Sequence, residues 1–449
     1  MSKRNLAELL SEGDGGEDAP PTSKQRRRSP TPLLVHALPY PSLSVAPTSP
    51  PAFQQPTQII SFSYTPDRKL EFTNSALRFL AALPPRPQLS YAYERWTRRP
   101  ETRPRIDGLL RALSTARAKN HPALASGFGA VGWRGVLTRI MTAPYEDRDG
   151  WDMNVMCVDG VLYFEEHLDE AKLRAKDELA PRQRLNTYYG YAFESYCTSE
   201  KPSTSNVPCV NVPQAPGDPP GWGGDVDTNV QWCSVVRTRL GDTRLVIGGE
   251  VDCVRGTYTS KTDTFVELKT SLVIRGAQDE MRFEKKLLKF YMQSFLLGVP
   301  VSCLLHLFLL PPSEGYTAQE ILVGFRTPSG EITTTQTFRT VELPRLVRGK
   351  AHGWDPKKCF AWGNELLEFL KKNVRSSSAV GIELQGPNAR VWRLTFSPGV
   401  GVELRQLDDS AVRGVESAEG DREAVDRVGF LPRWYWDEVV KADDSSGTT

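Results

Sequence analysis

Four charged side chains in two short apolar segments are the part of this sequence best suited to chemistry. Glu250 and Asp252 lie in "GGEVDCV", and Glu267 and Lys269 lie in "FVELKTS". Because successive side chains of a β-strand point to opposite faces, the two residues of each pair share a face. Burying an unpaired charge costs several kcal/mol, so the four groups need partners. If the two strands are adjacent, three carboxylates and one ammonium converge on one surface.

Converging carboxylates repel one another unless a divalent cation lies among them, and hard cations prefer oxygen ligands. The five histidines show no HxxxH or HExxH spacing, and the seven cysteines include no CxxC pair. The sequence therefore favours Mg²⁺ or Mn²⁺ over zinc. Beside such a site, Lys269 can orient a water molecule or neutralise the charge that develops on a phosphate during attack.

The order of Asp252 followed by Glu267-Leu268-Lys269 matches the loose signature of the PD-(D/E)xK nuclease superfamily. Taken alone, this pattern is weak and more often marks surface salt bridges on an exposed strand. Two further residues bear on the choice. Glu194 ends the aromatic run "YYGYAFE" and lies either in the site or at the rim of an element. Arg134, in "FGAVGWRGVLTRIM", is predicted either to pair with an internal acid or to clamp a phosphate.

A long amphipathic helix is predicted over residues 281–298, where apolar positions recur along one face before Gly298 and Pro300. Its polar face carries Arg282, Lys286, Lys289 and Gln293. This face is either an ordinary solvated surface or a surface that meets phosphates.

The remaining pattern predicts an α/β (α+β) fold with large mixed, mainly antiparallel sheets flanked by helices. Three hairpins are expected, around Asp159-Gly160, around Gly241-Asp242 and around residues 328–330, and three short strands near the end of the chain. A second clear helix begins after Asp355, the predicted N-cap.

The chain has 449 residues, of which 39% are hydrophobic, and a formal net charge of +2. No segment has the length of apolar sequence that a membrane span needs, and the first residues lack the apolar core of a signal peptide. Residues 1–57 are rich in proline and serine and are predicted to be a disordered tail, as are residues 441–449. Residues 58–440 are predicted to form one domain. The basic run from Lys24 to Arg28 is a nuclear import signal, an RNA contact or a solvated charge cluster.

Six segments in one order resemble the DXO family of decapping nucleases, in particular the fungal branch that accompanies the nuclear 5′-to-3′ exoribonuclease. They are "WRGVLTRIM", "GYAFE", "GGEVDCV", "VELKTS", "KKLLKFYMQSFLLG" and "GFRTPSG". The resemblance extends from about Ile59 to about Leu407 and implies a PD-(D/E)xK nuclease-like core.

The resemblance also implies roles for individual residues. The implied ligands of a Mg²⁺ or Mn²⁺ ion are Glu194, Asp252, Glu267 and the main-chain carbonyl of Leu268. The implied catalytic residues are Glu250, Lys269 and Gln293. Glu250 acts partly through water, whereas Lys269 and Gln293 position the attacking water and the scissile phosphate. Substrate binding is expected from Arg134, Glu194, Lys269 and Gln293.

The activity implied by the resemblance is hydrolysis at RNA 5′ ends in the nucleus. Expected substrates are 5′-triphosphate RNA, which releases pyrophosphate, and RNA with incompletely methylated or NAD caps. The product is 5′-monophosphate RNA for exonucleolytic decay, and a nuclear 5′-to-3′ exoribonuclease is the expected partner. Two alternatives remain open: a stabilising subunit of that exoribonuclease with little chemistry of its own, and a DNA nuclease of the wider superfamily.

Two surface segments are candidates for partner or RNA contacts. The segment Lys201–Trp232 is rich in proline and glycine, and Trp222 is predicted either to be an exposed anchor for a partner or to lie in a plain surface loop. The basic segment Glu94–Arg105 is predicted either to line an RNA entry path or to form a solvated face.

Overall fold

The computed structural model describes residues 34–43, 49–125, 127–202, 215–298, 320–376, 390–417 and 425–444. Strands in these residues are, in chain order, β1 Val35–Pro39, β2 Phe53–Tyr64, β3 Leu70–Glu71, β4 Phe79–Leu80, β5 Ala130–Trp133, β6 Trp151–Val158, β7 Val161–His167, β8 Thr198–Ser199, β9 Gln231–Leu240, β10 Thr243–Glu250, β11 Cys253–Val254, β12 Phe265–Leu272, β13 Glu320–Arg326, β14 Ile332–Arg339, β15 Trp392–Ser397, β16 Gly401–Gln406, β17 Arg427–Val428 and β18 Leu431–Pro432. Most of their pairings are antiparallel, as predicted.

The α-helices of the described residues flank these strands. In chain order they are α1 Asp107–Ala118, α2 Arg134–Thr142, α3 Glu170–Asp177, α4 Pro181–Cys197, α5 Ala277–Gly298, α6 Leu343–Leu346, α7 Pro356–Ser376, α8 Asp409–Glu416 and α9 Arg433–Asp444. The two helices predicted from sequence are present as α5 and α7. The predicted N-cap Asp355 accepts a hydrogen bond from the amide of Lys357 through Oδ1 at 2.9 Å. Among the described residues, no helix combines the length and the apolar character needed to cross a lipid bilayer.

The larger sheet has ten strands in the order β1-β16-β15-β6-β7-β5-β10-β9-β2-β3. Two of the predicted hairpins lie in it, β6–β7 and β9–β10. In the first, Asp159 and Gly160 both adopt positive φ, 47° and 69°, as the predicted type I′ turn requires. Strand β5 joins this sheet through two parallel pairings, with β10 and with β7.

The smaller sheet has six strands in the order β14-β13-β12-β11-β4-β8, and it contains the third predicted hairpin, β13–β14. Strands β12 and β13 run parallel, with Lys269 opposite Val323. A short two-stranded pairing of β17 with β18 precedes α9. Of the three strands predicted near the end of the chain, two are β15 and β16, and the third, at 381–385, lies outside the described residues.

Aromatic packing joins the two sheets. The ring of Trp232 on β9 meets that of Phe265 on β12 edge to face, with centroids 5.7 Å apart. Behind them Phe295 of α5 lies 4.9 Å from Phe53 of β2 and 5.0 Å from Phe360 of α7, centroid to centroid. Burial of this aromatic surface helps to hold α5 against β2 and α7.

The ordered domain begins before and ends after the predicted limits of 58 and 440. Strand β1, at Val35–Pro39, pairs antiparallel with β16 at the edge of the larger sheet, and Tyr40 donates to the carbonyl oxygens of Ala143 and Pro144. At the other end, α9 continues to Asp444. The proline-rich composition predicted disorder and gave no sign of β1. Such a composition is compatible with an edge strand, because an edge strand needs backbone pairing on one side only. The basic run at 24–28 lies outside the described residues.

Candidate active site

The two charged segments meet where the chain leaves one sheet and enters the other. Glu250 is the last residue of β10 in the larger sheet, and Asp252 precedes β11 in the smaller one. Strand β11 then pairs with β12, which carries Glu267 and Lys269. The two segments are thus adjacent only at the Asp252 end, where β11 pairs with β12, whereas Glu250 belongs to the larger sheet. The charged side chains converge because the chain passes from the larger sheet at Glu250 to the smaller sheet at Cys253.

Lys269 and Arg134 neutralise the most buried carboxylate. Glu267 is 1% exposed, and its Oε1 lies 3.0 Å from Nζ of Lys269 while its Oε2 accepts a hydrogen bond from Nη1 of Arg134 at 2.8 Å. Asp252 Oδ2 lies 3.3 Å from the same Nζ and accepts from the amide of Leu268 at 2.7 Å. Because these pairs are buried, the interpretation as surface salt bridges is excluded.

Arg134 reaches Glu267 because two glycines leave room for it. Arg134 is the first residue of α2, and a Cβ on Gly249 would lie 3.0 Å from its Cβ and 2.9 Å from Cδ1 of Leu297 on α5. A Cβ on Gly248 would lie 2.8 Å from the ring of Trp133. The "GG" that precedes Glu250 therefore lets α2 and α5 approach the end of β10 closely. Of the two roles predicted for Arg134, the internal pair is the one seen.

Glu194 completes what we call the acidic cluster, defined as Glu194, Glu250, Asp252 and Glu267. It lies near the end of α4, and with Glu250 and Asp252 it lines one cavity. Burial, followed by the negative charges of Asp252 and Glu250, raises the pKa of Glu194 well above its usual value. Burial and the charge of Asp252 raise the pKa of Glu250 to about 7. Like charges are thus held close together in a desolvated site.

The pKa values of Glu267 and Lys269 shift in the directions expected of a buried ion pair. Burial alone would raise the pKa of Glu267, but the adjacent charges of Arg134 and Lys269 outweigh it and lower that pKa. Burial alone would lower the pKa of Lys269, but Asp252 and Glu267 outweigh it and raise that pKa. Both groups therefore carry their charges at neutral pH.

Gln293 is half-buried on α5, one helical turn before Leu297, which packs near Gly249. The polar face of α5, one predicted interpretation of which was a surface that meets phosphates, does not point as a whole toward the acidic cluster. Lys289 lies 3.0 Å from Glu146, and Arg282 lies 3.6 Å from Asp279, neither of which belongs to the acidic cluster.

Two cavities meet at Glu250. The first, about 460 Å³, is lined by Glu194, Glu250 and Asp252. The second, about 660 Å³, we call the basic cavity; its cationic lining residues are Arg68, Lys69, Arg99, Arg103, Arg105, Arg111, Arg139 and Arg427. Several residues of the basic segment Glu94–Arg105 therefore border the site, although Arg105 also pairs with Glu165 at 3.1 Å.

Trp222 lies in the segment Lys201–Trp232, a candidate for partner contacts, and it is fully buried. Its ring packs edge to face against Tyr196 of α4 and against Tyr91. The prediction of an exposed anchor is therefore wrong. Residues 203–214 of the same loop lie outside the described residues.

Sequence reasoning missed a hydrogen-bond network behind Glu250. Nε2 of Gln231 donates to Oε2 of Glu250 at 2.7 Å, and Oε1 of Gln231 accepts from Nη1 of both Arg68 (2.5 Å) and Arg99 (3.0 Å). These residues come from distant parts of the chain and match no short motif. The pairing of Tyr64 with Gln231 across β2 and β9 brings Arg68 close to Gln231, and the bridge between Thr97 and Asp227 brings Arg99 there.

The acidic cluster has the chemistry of a site for a hard divalent cation, because its carboxylate oxygens repel one another. Burial raises the pKa of the neighbouring thiols of Cys197 and Cys253 well above the usual value, so these thiols stay protonated and compete poorly as ligands. In the described part of the chain, no three acidic, histidine or cysteine side chains enclose a cation as they stand. Glu267 in particular is held by Lys269 and Arg134. The residues present fit such an ion in type and in charge.

Comparison with known proteins identifies the family. The model of the RAI1-like PD-(D/E)XK nucleases matches residues 54–303 and 317–436. Decapping nuclease RAI1 of Mycosarcoma maydis is 33% identical over 470 residues, which cover 87% of this chain and 88% of the relative. The decapping and exoribonuclease protein of Bos taurus is 29% identical over 423 residues, covering 90% and 91%.

The fold agrees with this match. Candida albicans Rai1, solved in complex with pU5-Mn²⁺, has a TM-score of 0.69 at 20% identity and covers 91% of this chain and 99% of its own. Schizosaccharomyces pombe Rai1, solved with 3′-FADP, has a TM-score of 0.62 at 23% identity, with coverages of 84% and 100%. The resemblance seen in six sequence motifs is confirmed: the chain belongs to the RAI1-like PD-(D/E)XK nuclease family.

Proposed function

We propose that this protein is a metal-dependent decapping nuclease that hydrolyses the 5′ ends of RNA. The observation that carries the proposal is the buried acidic cluster with Lys269 at its centre, in a chain whose relatives include fungal proteins named decapping nuclease RAI1. A buried lysine among carboxylates is suited to a reaction in which negative charge develops on a phosphate.

The metal would be Mg²⁺ or Mn²⁺, held by Glu194, Asp252, Glu267 and the main-chain carbonyl of Leu268. When bound, such an ion polarises phosphoryl oxygens and makes bound water more acidic. Rai1 of Candida albicans was solved with Mn²⁺, which supports this choice of ion.

The chain's own side chains then have distinct tasks. Lys269 supplies a fixed positive charge beside the scissile phosphate, and its ammonium stays protonated because Asp252 and Glu267 raise its pKa. Glu250 is half-buried at the boundary of the two cavities, where its carboxylate can hold the attacking water and accept its proton. Gln293 positions the water or the phosphate from α5. Arg134 first holds Glu267 in place and can then turn toward an RNA phosphate.

Proposed substrates are 5′-triphosphate RNA, with release of pyrophosphate, and RNA with incompletely methylated guanosine caps or NAD caps. Each reaction would leave a 5′-monophosphate. We further propose that the protein works in the nucleus with a 5′-to-3′ exoribonuclease, which consumes that product. Support for these finer assignments is the family's six-motif pattern and the cationic lining of the basic cavity, which suits a polyanion.

The test is end-product analysis of the purified protein with Mn²⁺ or Mg²⁺ on triphosphate, GpppA-capped and NAD-capped RNAs. Wild type is expected to release pyrophosphate or the intact cap, whereas Asp252→Ala is expected to be inactive. Asp242→Ala, at the exposed turn at the other end of β10, is a matched control that should keep full activity. If no RNA gives a metal-dependent product, the enzyme proposal is wrong and a stabilising subunit of the exoribonuclease is the better explanation.

A further inference from the structure

The network behind Glu250 has an orientation that its partners dictate. A glutamine amide has one acceptor oxygen and one donor nitrogen, which are otherwise hard to assign. Here Oε1 of Gln231 faces two guanidinium groups, those of Arg68 and Arg99, and both can only donate. Nε2 must therefore face the carboxylate of Glu250, where it donates at 2.7 Å.

The guanidinium of Arg68 and the backbone of Arg99 are themselves held by further contacts. Nη1 of Arg68 also donates to the carbonyl of Asn229 at 2.9 Å, and its guanidinium lies 3.8 Å above the centre of the Tyr64 ring. Its backbone has a φ of 65°, which is unfavourable for a residue with a side chain and persists only where surrounding contacts impose it. The amide of Arg99 donates to Oγ1 of Thr228 at 2.8 Å.

This arrangement also lies at a boundary. Arg99, Gln231 and Glu250 line both the cavity that contains the rest of the acidic cluster and the basic cavity. With Oε2 bound by Gln231, Oε1 is the oxygen that remains to hold the water of the proposed reaction. Without a fixed donor, the repulsion of the nearby Asp252 charge would favour rotation of the Glu250 carboxylate away from it.

We infer that Gln231 is a positioning residue, which fixes the Glu250 carboxylate for hydrolysis, and that Arg68 and Arg99 lock the orientation of its amide. The inference deepens the proposed function and rests on it. Gln231 acts through Glu250, so its contribution depends on the Glu250 carboxylate being present. A residue that only supports the strand, or that contacts RNA by itself, contributes whether or not Glu250 is ionised.

The test uses Gln231→Glu and Gln231→Met in the full-length protein. Gln231→Glu keeps an acceptor for both arginines but replaces the donor with a second negative charge beside Glu250. We expect Gln231→Glu to keep the melting temperature of wild type and to lower kcat on triphosphate RNA at least about tenfold, with a smaller change in KM. A tenfold change corresponds to about 1.4 kcal/mol in the barrier. Gln183→Glu, at an exposed glutamine outside both cavities whose Oε1 only accepts a hydrogen bond from the amide of Ala180, is the matched control and should match wild type.

A double-mutant cycle decides whether Gln231 acts through Glu250. In a Glu250→Gln background, Gln231→Met should lower the residual kcat by less than twofold, although it lowers kcat at least about tenfold in the wild-type background. Equal losses in both backgrounds would overturn the inference and assign Gln231 a structural or RNA-binding role.

Crystal structures of wild type and Gln231→Glu give a readout that needs no activity. The Glu250 carboxylate should point toward Gln231 in wild type and turn away in the variant, and an unchanged Glu250 rotamer would contradict the inference. If wild type hydrolyses none of the RNAs, the proposed function fails while these structures still decide whether Gln231 positions Glu250.

Discussion

At the scale of single residues, the acidic cluster is organised by an unequal distribution of counter-charges. Glu267 has two cationic partners, Lys269 and Arg134, whereas Glu194 has none within hydrogen-bond distance among the described residues. Burial, followed by repulsion from neighbouring carboxylates, therefore raises the pKa of Glu194, Glu250 and Asp252, whereas the pKa of Glu267 is lowered. The proposed metal binding would use these charges, and their burial without metal should destabilise the folded state.

Replacing Glu194 by glutamine is expected to separate stability from activity. A raised carboxyl pKa means that the stability of wild type is complete below about pH 4.5 and is lost as pH rises through the folded pKa. In EDTA at pH 8, Glu194→Gln should therefore be more stable than wild type by on the order of 1 kcal/mol. Its RNA hydrolysis should fall at least about a hundredfold.

Urea denaturation and the end-product assay measure both effects. Glu178→Gln, at the exposed end of α3, is the control and should change neither quantity. A Glu194→Gln protein that is less stable than wild type at pH 8 would show that Glu194 is held by favourable contacts instead.

His167 should make the stability of the protein depend on pH in mild acid. Burial lowers its pKa to about 4, and the charge of Arg393 acts in the same direction. Between about pH 6.5 and 4 the unfolded chain binds a proton that the folded protein does not, so this stability is complete above about pH 6.5 and is lost as the pH falls. Denaturation at pH 7 and pH 5 should show a smaller loss for His167→Gln than for wild type. The exposed His352→Gln should keep the wild-type difference, and an unchanged His167→Gln profile would refute the prediction.

Most of the candidate site could be predicted from the sequence, for a physical reason. Alternation along a strand puts Glu267 and Lys269 on one face, and the structure joins them at 3.0 Å. Gln231 could not be found in this way. Its partners Arg68 and Glu250 lie in other elements, so no local spacing records their contacts.

At the scale of elements, close approach of α2 and α5 to β10 is the condition for the Arg134–Glu267 pair. Gly249→Ala is expected to push Arg134 or Leu297 away, because its Cβ would lie about 3.0 Å from each. Such overpacking typically costs about 1–3 kcal/mol, and activity should fall with it. Thermal denaturation and the end-product assay test this. Gly414→Ala, in α8 with no neighbour within 4 Å of the added Cβ, should be neutral or stabilising.

Strand β1 should stabilise the larger sheet by covering the edge of β16. It also places His36 against the ring of Trp392, with ring centroids 5.9 Å apart. A protein that starts at Ser49 should melt at a lower temperature and aggregate more readily than one that starts at Leu34, since an uncovered edge can pair with another chain. Equal melting temperatures and equal light scattering would show that β1 contributes nothing to the domain.

At the scale of the whole molecule, metal binding and folding should be linked. An ion that binds only the folded state stabilises it by about 2.7 kcal/mol when its concentration is a hundred times its Kd. Mn²⁺ should therefore raise the melting temperature of wild type and of Asp242→Ala, and EDTA should reverse the rise. Asp252→Ala should show no rise. A rise of equal size in Asp252→Ala would place the stabilising ion elsewhere.

Three hairpins and the two long helices α5 and α7 followed from turn residues and periodicity, and the six-motif order predicted the family. What the sequence could not supply is the division of strands between sheets. Segments that are close in sequence, β10 and β12, belong to different sheets, because Val251 and its neighbours carry the chain across. Long-range backbone pairing decides that division, and β1 was missed for the same reason.

The passage from one sheet to the other at Glu250–Asp252 makes the site sensitive to how the two sheets are docked. Glu250 moves with the larger sheet, while Asp252 is tied to the smaller one through the amide of Leu268. A slide of one sheet against the other would act as a shear that changes the separation of the two carboxylates. The Trp232–Phe265 contact opposes that shear. Substitutions in this contact would therefore lower metal affinity, although neither residue belongs to the acidic cluster, because they would alter the alignment of the two sheets that carry its carboxylates.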